Sequence, residues 1–441
     1  MSIDYRQQLL DRLANRNATI GIIGLGYVGL PLAVAFAEYG CTVIGMDVHQ
    51  GKVDQLNRGE SYIIDISDEQ IAPLVKSGKL CATTDYNALR EADAVSICVP
   101  TPLRKTKDPD MSFILKAADY IEAIAHAGML VSLESTTYPG TTEEIIAPRL
   151  TDQGFVVGKD VFVAFSPERI DPGNAIYNVR TIPRVVGGMT PACQEVGVAY
   201  YSPIVEHVHP VSSPTTAEMV KLLENTFRAV NIGLANEVAL MCDRLGINVW
   251  EVIEAAATKP FGFMPHYPGP GLGGHCIPLD PHYLSWKLKT LNYTARFIEL
   301  ASEVNTGMPY HVIEKIANGL NEMTKPVRQS RIGVLGVAYK PNVDDVRESP
   351  ALDIIHLLKE KGAIVEWADP YVETIRLDGG TSTSARVSLS AEWLESLDCA
   401  VIVTNHDAFD WKLIVEHSKL IVDTRNATKG LANGKTMIIG I

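Results

Sequence analysis

Short apolar runs, each closed by glycine or a polar turn residue, recur in the first part of the chain at 20–24, 42–46, 94–99, 129–134, 161–165 and 184–187. Continuous rather than alternating apolar character predicts strands covered on both faces, as in a parallel sheet. At 30–39 and 141–150 the apolar residues return at helical spacing, so this part reads as repeated βα units. From about Pro214 the pattern changes to long helical periodicity, over 218–245 and again over 293–323. The strand rhythm then resumes at 331–337, 363–367, 399–404 and 420–423. The predicted fold is α/β, with two Rossmann-like doubly wound domains joined by a helical connector. The expected boundaries are 1–213, 214–325 and 326–441. In such sheets ligands bind outside the carboxyl ends of the strands.

A chain of 441 residues exceeds what one hydrophobic core usually supports, and 46% hydrophobic with 21% charged residues is ordinary globular composition. The balance of 39 basic against 52 acidic residues, net -13, argues against a nucleic-acid partner. It leaves room for small anions held in local pockets. No apolar run reaches the roughly 18 residues of a membrane span, and residues 1–17 lack a signal-peptide core, so a cytoplasmic protein without a membrane partner is expected. The seven cysteines show no CxxC spacing, which predicts reduced thiols and no metal site.

Gly24-Leu-Gly26-Tyr27-Val28-Gly29 follows an apolar strand and opens a helix. That context makes the GxGxxG pattern a dinucleotide site: Gly24 for the tight turn, Gly26 for approach to a pyrophosphate, and Gly29 for close helix packing. Asp47 ends the second strand, where a carboxylate accepts ribose hydroxyls and disfavours a 2′-phosphate. NAD is therefore expected over NADP, although Lys52 lies close by, and FAD shares the fingerprint. Polar residues also emerge at the ends of the next strands, Thr101 and then Ser135 and Thr136, where they contact ligands or simply form turns.

Residues 259–276 form a loop rich in Gly, Pro and aromatics that carries Cys276, with Asp280 four residues on. A thiol there can add to an aldehyde and carry it through a thioester to the acid. A small residue packed in a tight loop is an equal reading of the cysteine alone. Lys221, Asn225 and Arg228 share one helix face, as donors to a substrate oxygen or as a solvated face. Glu168 and Asp280 are candidates for proton transfer, with the choice between them open.

Taken in order, GLGYVGLPLA at the first strand, Ser135-Thr136, Ser166-Pro-Glu168-Arg, Lys221 with Asn225, Gly273-Gly-His-Cys276-Ile-Pro-Leu-Asp280 and Asp345-Val-Arg347-Glu-Ser resemble the UDP-glucose/GDP-mannose dehydrogenase family over nearly the whole chain. The resemblance implies two α/β domains around a helical dimerisation core, hence a homodimer through the central helices. It implies a four-electron oxidation of a sugar C6 hydroxyl to the carboxylate, with NAD as oxidant. Cys276 is then the nucleophile, Lys221 and Asn225 form the oxyanion site, and Asp280, Thr136 and Glu168 serve the water. NAD would be held by Gly24, Gly26, Tyr27, Val28, Gly29, Asp47, Lys52, Thr101, Thr136 and Arg347. The UDP-sugar would meet Glu168, Lys221, Asn225, Arg228, Gly271, Gly273, Tyr339 and Lys340.

Segments 135–141, 166–173, 256–263 and 267–278 resemble the bacterial branch of that family acting on UDP-N-acetylhexosamines for O-antigen or capsule polysaccharide. UDP-N-acetyl-D-glucosamine is the expected substrate, with UDP-N-acetyl-mannosamine and UDP-N-acetyl-galactosamine as alternatives. His275, Ile277 and Leu279 stand where UDP-glucose dehydrogenases carry other residues, which argues against glucose itself. Two further readings remain open: a non-catalytic NAD-sensing binding protein, and a two-electron alcohol dehydrogenase that releases aldehyde.

Overall fold

The computed structural model describes residues 3–63, 66–104, 108–170, 178–274, 276–377, 382–432 and 434–441. It contains two compact units, Met1–Glu224 with His282–Tyr293, and Asn225–Pro281 with Thr294–Ile441.

The first unit is built on an eight-stranded sheet of β1 (Thr19–Ile23), β2 (Thr42–Met46), β3 (Leu80–Thr83), β4 (Ala94–Ile97), β5 (Leu130–Leu133), β6 (Phe162–Phe165), β7 (Arg184–Gly188) and β8 (Val208–Val211), in the order β3-β2-β1-β4-β5-β6-β7-β8. β1 to β6 are mutually parallel, so the strand order reverses between β1 and β4 and leaves a crevice at their carboxyl ends. Successive residues serve opposite faces. Ile20 and Ile22 pack with Phe36 and Tyr200, whereas Ile23, Ile97 and Leu133 pack with Ile121. Two covered faces explain why these strands read as unbroken apolar runs.

The expectation that 184–187 is one more parallel strand is corrected: β7 runs antiparallel to β6, with Phe165 opposite Gly187, and parallel to β8. A buried apolar run looks the same in either direction, so hydropathy carries no sign for it. Reversal has a chemical consequence, since it brings the first residue of β7, Arg184, to the carboxyl edge of β5 and β6.

In the second unit, β9 (Arg331–Leu335), β10 (Ile364–Ala368), β13 (Cys399–Ile402), β14 (Leu420–Asp423) and β15 (Met437–Gly440) form a parallel sheet ordered β10-β9-β13-β14-β15. β11 (Thr374–Leu377) and β12 (Ser382–Ala385) pair as a separate antiparallel hairpin. The Arg296–Glu322 helix lays Met308, Val312, Ile316 and Leu320 at helical spacing against Ile332, Val334 and Leu420. A second long helix, Pro214–Leu245, begins in the first unit and continues into the second. No described helix is long and apolar enough to cross a membrane.

Both units anchor their lead strand in the same way. Asp93 accepts the N–H of Thr19 at 2.8 Å under β1, and Asp398 accepts that of Arg331 at 2.9 Å under β9. At the other end Gly24 and Gly336 turn the chain with φ of +93° and +80°. A Cβ there would stand 2.5 Å from the Cys98 carbonyl oxygen in one case and 2.4 Å from that of Thr404 in the other. Glycine is thus required twice over, by conformation and by space.

The junction of β7 with the Pro214–Leu245 helix is equally tight, because a Cβ on Gly187 would lie 2.1 Å from the Ser213 carbonyl oxygen. Gly187→Ala is expected to lower the first thermal transition by about 5 °C, as backbone must move to admit the methyl. Gly440→Ala, which meets no atom within 4 Å, should leave that transition unchanged when both are followed by scanning calorimetry.

Candidate active site

At the carboxyl edge of the first sheet, the glycine turn is shaped for close approach. A Cβ on Gly29 would fall 1.8 Å from the Gly24 carbonyl oxygen, so helix and turn touch only because Gly29 has no side chain. Gly26 faces open space, with no atom within 4 Å of a built Cβ. The Gly29–Tyr39 helix starts at Val28 without a side-chain cap, so its positive N-terminal end stands beside this opening. These features fit a pyrophosphate.

Asp47 is buried beside the turn and accepts the N–H of Leu25 and that of His49, each at 2.9 Å. The Lys52 ammonium stands 3.6 Å from its Oδ2. Lys52 therefore acts as counter-ion to Asp47 and does not recast the pocket for a 2′-phosphate. Tyr27 is exposed on the turn, and Thr101 and Thr136 follow β4 and β5 along the same edge, the first buried and the second half-buried.

Glu168 follows β6 on that edge. Its Oε1 accepts the N–H groups of Arg169 and Ile170 at 2.7 and 2.8 Å, and Arg184 reaches Oε2 at 3.1 Å. Burial pushes the carboxyl above its ordinary range, against those two N–H bonds and the charges of Lys221 and Arg169. Lys221 itself is buried in this unit.

In the second unit, Cys276 is exposed at the end of the glycine-rich loop. Its carbonyl oxygen accepts the N–H of Asp280 at 2.8 Å, and Asp280 opens the Asp280–Lys289 helix. The Asn225 amide donates to Asp280 Oδ2 at 2.5 Å, with both side chains buried. Gly271 and Gly274 take φ of +138° and +91°, and a Cβ on Gly274 would press 2.8 Å from the Tyr339 ring. The Gly274 N–H donates to the Arg347 carbonyl oxygen at 3.1 Å. Gly273, Gly274, Tyr339 and Arg347 are thereby brought together, while Gly271 lies against Pro350; the Lys340 ammonium stands 5.7 Å over the Tyr339 ring. Arg228 is exposed, unlike Lys221 and Asn225 on the same helix. His275 lies outside the described residues.

Three family models match successive parts of the chain. The NAD binding domain of the UDP-glucose/GDP-mannose dehydrogenase family matches residues 18–205, its central domain 215–307 and its UDP binding domain 333–430. The chain belongs to this family. It is 39% identical over 432 residues to a UDP-N-acetyl-D-mannosamine dehydrogenase of Salmonella typhi, covering 92% of this chain and 98% of that one. It is 36% identical to an NDP-N-acetyl-D-galactosaminuronic acid dehydrogenase of Ralstonia nicotianae, covering 92% and 95%. Among solved structures, a UDP-D-ManNAc dehydrogenase of Pyrococcus horikoshii superposes with a TM-score of 0.87 at 34% identity, covering 96% and 99%.

As a member of this dehydrogenase family the protein uses NAD, and the Gly24–Gly29 turn with Asp47 is where the residues present fit it. Other polar residues at the two sheet edges escaped the sequence reading. Arg184, buried between Glu134 and Glu168, had one visible signal, a charge opening an otherwise apolar strand. Arg425, just after β14, lies with Nη1 2.6 Å from where a Gly269 Cβ would be, and burial brings its guanidinium down to about 10 against the opposing charge of Asp423. Nothing local in the sequence singled it out.

Replacing Asp47 by Ala removes a carboxylate that fits a ribose acceptor and a clamp on Leu25. The expected result is a KM for NAD raised about tenfold and a smaller preference over NADP, read from initial rates with each cofactor.

Proposed function

We propose that this enzyme oxidises the C6 hydroxyl of a UDP-N-acetylhexosamine to the carboxylate through a covalent bond to Cys276, with UDP-N-acetyl-mannosamine as its sugar. The observation that carries the chemistry is the Asn225–Asp280–Cys276 linkage, in which the buried Asp280 carboxylate accepts from the Asn225 amide while the Asp280 N–H donates to the carbonyl oxygen of Cys276, a residue with an exposed thiol. Relatives named for mannosamine support the sugar, and they reverse the order expected from sequence, in which glucosamine came first. The galactosamine sugar is the second reading, supported by the Ralstonia relative.

NAD supplies the oxidising power, two equivalents taking up the two hydrides. The chain's own groups handle the carbon between them. The Cys276 sulfur bonds to the aldehyde carbon and gives a thiohemiacetal, whose oxidation leaves a thioester. Water then bonds to that carbon, the S–C bond breaks, and the thiol is restored. An Asn amide has two N–H bonds and Asp280 takes one, which leaves the second for the substrate oxygen, with the Lys221 ammonium as its partner in that role. Glu168, above its ordinary range, takes the proton of the attacking water, and Thr136 serves the same water. Tyr339, Lys340 and Arg425 hold the UDP moiety beside the glycine-rich loop.

Initial rates on UDP-N-acetylated mannosamine, glucosamine and galactosamine, with NADH counted per product, test this. The highest kcat/KM is expected on the mannosamine, at two NADH per uronate, and Cys276→Ser should lower turnover by at least about a thousandfold. One NADH per sugar would instead mark an alcohol dehydrogenase releasing aldehyde, and silence on every sugar a binding protein.

We further infer a homodimer. In the second unit Phe227, Leu234, Met241 and Leu245 form an exposed apolar stripe on one long helix, and Phe297, Leu300 and Tyr310 are exposed on the other. A stripe of this size rarely stays in water. The solution mass by light scattering should be twice 48.1 kDa, and the Leu234→Glu, Met241→Glu double variant should return it to 48.1 kDa.

A further inference from the structure

Four side chains close around one guanidinium in the first unit: Glu134 just after β5, Ser166 and Glu168 after β6, and Tyr201 at the end of the Pro191–Tyr201 helix. Arg184 donates Nε–H to Ser166 Oγ at 3.0 Å, reaches Glu168 Oε2 through Nη1 at 3.1 Å, and pairs with Glu134 through Nη2. Its guanidinium lies 4.7 Å over the Tyr201 ring. The Tyr201 hydroxyl donates to Glu134 Oε1 at 2.8 Å and shares a 2.7 Å bond with Ser132. Glu134 is fully buried, Arg184 keeps 4% of its side chain exposed, and Glu168 keeps 12%. Only Glu168 of the three therefore meets solvent at the sheet edge.

The charges do not cancel. One guanidinium faces two carboxylates, and the deeper of them, Glu134, holds it through a bond that water cannot compete for. Glu134 has no route to substrate, since its side chain is closed off by Arg184, Tyr201 and the strands themselves. A buried carboxylate with no ligand to meet is costly unless it serves a neighbour. Its effect on Glu168 has a definite sign: it draws Arg184 to the far side and places a second negative charge behind it, and both keep the nearer carboxylate basic.

We propose that Arg184 and Glu134 are positioning residues for Glu168, Arg184 fixing the direction of its carboxylate and Glu134 keeping it basic enough to take a proton. This rests on the proposed role of Glu168 as acceptor of the proton from the water that opens the thioester. The other groups facing Glu168 among the described residues are Lys221 on the Pro214–Leu245 helix, Arg169 in its own loop and Cys98 at the end of β4. Arg169 is engaged by Glu224 at 2.5 Å, and burial pushes the Cys98 thiol up to about 12, so it stays neutral. Lys221 and Arg169 are thus further cations acting on Glu168, and both are left intact in the test.

The test is a pH titration of the Glu168 carboxyl by carbon NMR of the full chain carrying isotope-labelled glutamate, the resonance being identified by its loss in Glu168→Gln. In Glu134→Gln the midpoint should fall by about one pH unit, because Arg184 then serves Glu168 alone. In Tyr201→Phe, which takes one hydrogen bond from Glu134 and keeps every charge, the midpoint should rise, because Glu134 then draws harder on Arg184. Glu134→Asp, which keeps the charge, should stay near the parent value. An unmoved or higher midpoint in folded Glu134→Gln overturns the proposal, and a lower one in Tyr201→Phe does so where the first variant fails to fold. The acidic limb of log kcat against pH is measured on the same variants and should follow the midpoint. A midpoint that moves while the limb stays put would uphold the positioning and remove Glu168 from the chemistry.

Discussion

A carboxylate at the end of the second strand holds the turn that follows the first, and both units depend on this one interaction. In the first unit Asp47 accepts the N–H of Leu25. In the second, Asp369 accepts those of Val337 and Ala338 at 2.7 and 3.2 Å. A turn that passes within touching distance of the neighbouring strand leaves its N–H groups nowhere else to bond, and a buried N–H without an acceptor is costly. The rest of each site is placed relative to that turn: the helix of Gly29 in one case, Tyr339 and Lys340 in the other.

The two carboxylates differ in what they have left to offer. Asp47 carries two backbone N–H bonds and a lysine at 3.6 Å, so lone pairs remain for ribose hydroxyls. Asp369 accepts four backbone N–H groups, from Val337, Ala338, Tyr371 and Val372, and then a fifth donor, His406 Nε2, at 3.0 Å. The tautomer is fixed by the other ring nitrogen, since Nδ1 accepts the Asn342 N–H at 2.9 Å and leaves the proton on Nε2. Burial raises the Asp369 carboxyl, but these bonds outweigh it and hold it below the ordinary range. With both side chains sealed from solvent, a dinucleotide ribose has no acceptor there. The same fold thus offers a cofactor site once and a nucleotide-sugar pocket once.

What was legible in the sequence follows from what the backbone demands locally. The glycine turn, the acid that closes β2 and the glycine-rich loop around Cys276 are all written in adjacent residues, and the structure keeps each as a built feature. β3 and β8 are short edge strands that leave little signal in hydropathy: Cys81 is exposed, and in β8 exposed His209 and Pro210 separate the half-buried Val208 and Val211. The β11–β12 hairpin alternates polar and apolar residues too briefly to stand out. Arg184, Glu134 and Glu168 come together across 50 and 16 positions of separation, with the direction of β7 deciding the meeting. Neither distance nor direction leaves a trace in local hydropathy.

The position of Cys276 in the second unit rests on a chain of such contacts. Asp369 and His406 fix the turn from Gly336 to Asn342, the turn sets the Tyr339 ring, and the ring leaves room only for a glycine at 274. Two residues on stands Cys276, whose carbonyl oxygen holds the N–H of Asp280, and Asp280 in turn holds the Asn225 amide. Asp369, His406, Asp280 and Asn225 are buried, Tyr339 is half-buried, and Asn342 and Cys276 are exposed. A residue as plain as His406 then bears on the setting of Cys276, because a slack turn at Asn342 would pass through Tyr339 and Gly274 to the cysteine.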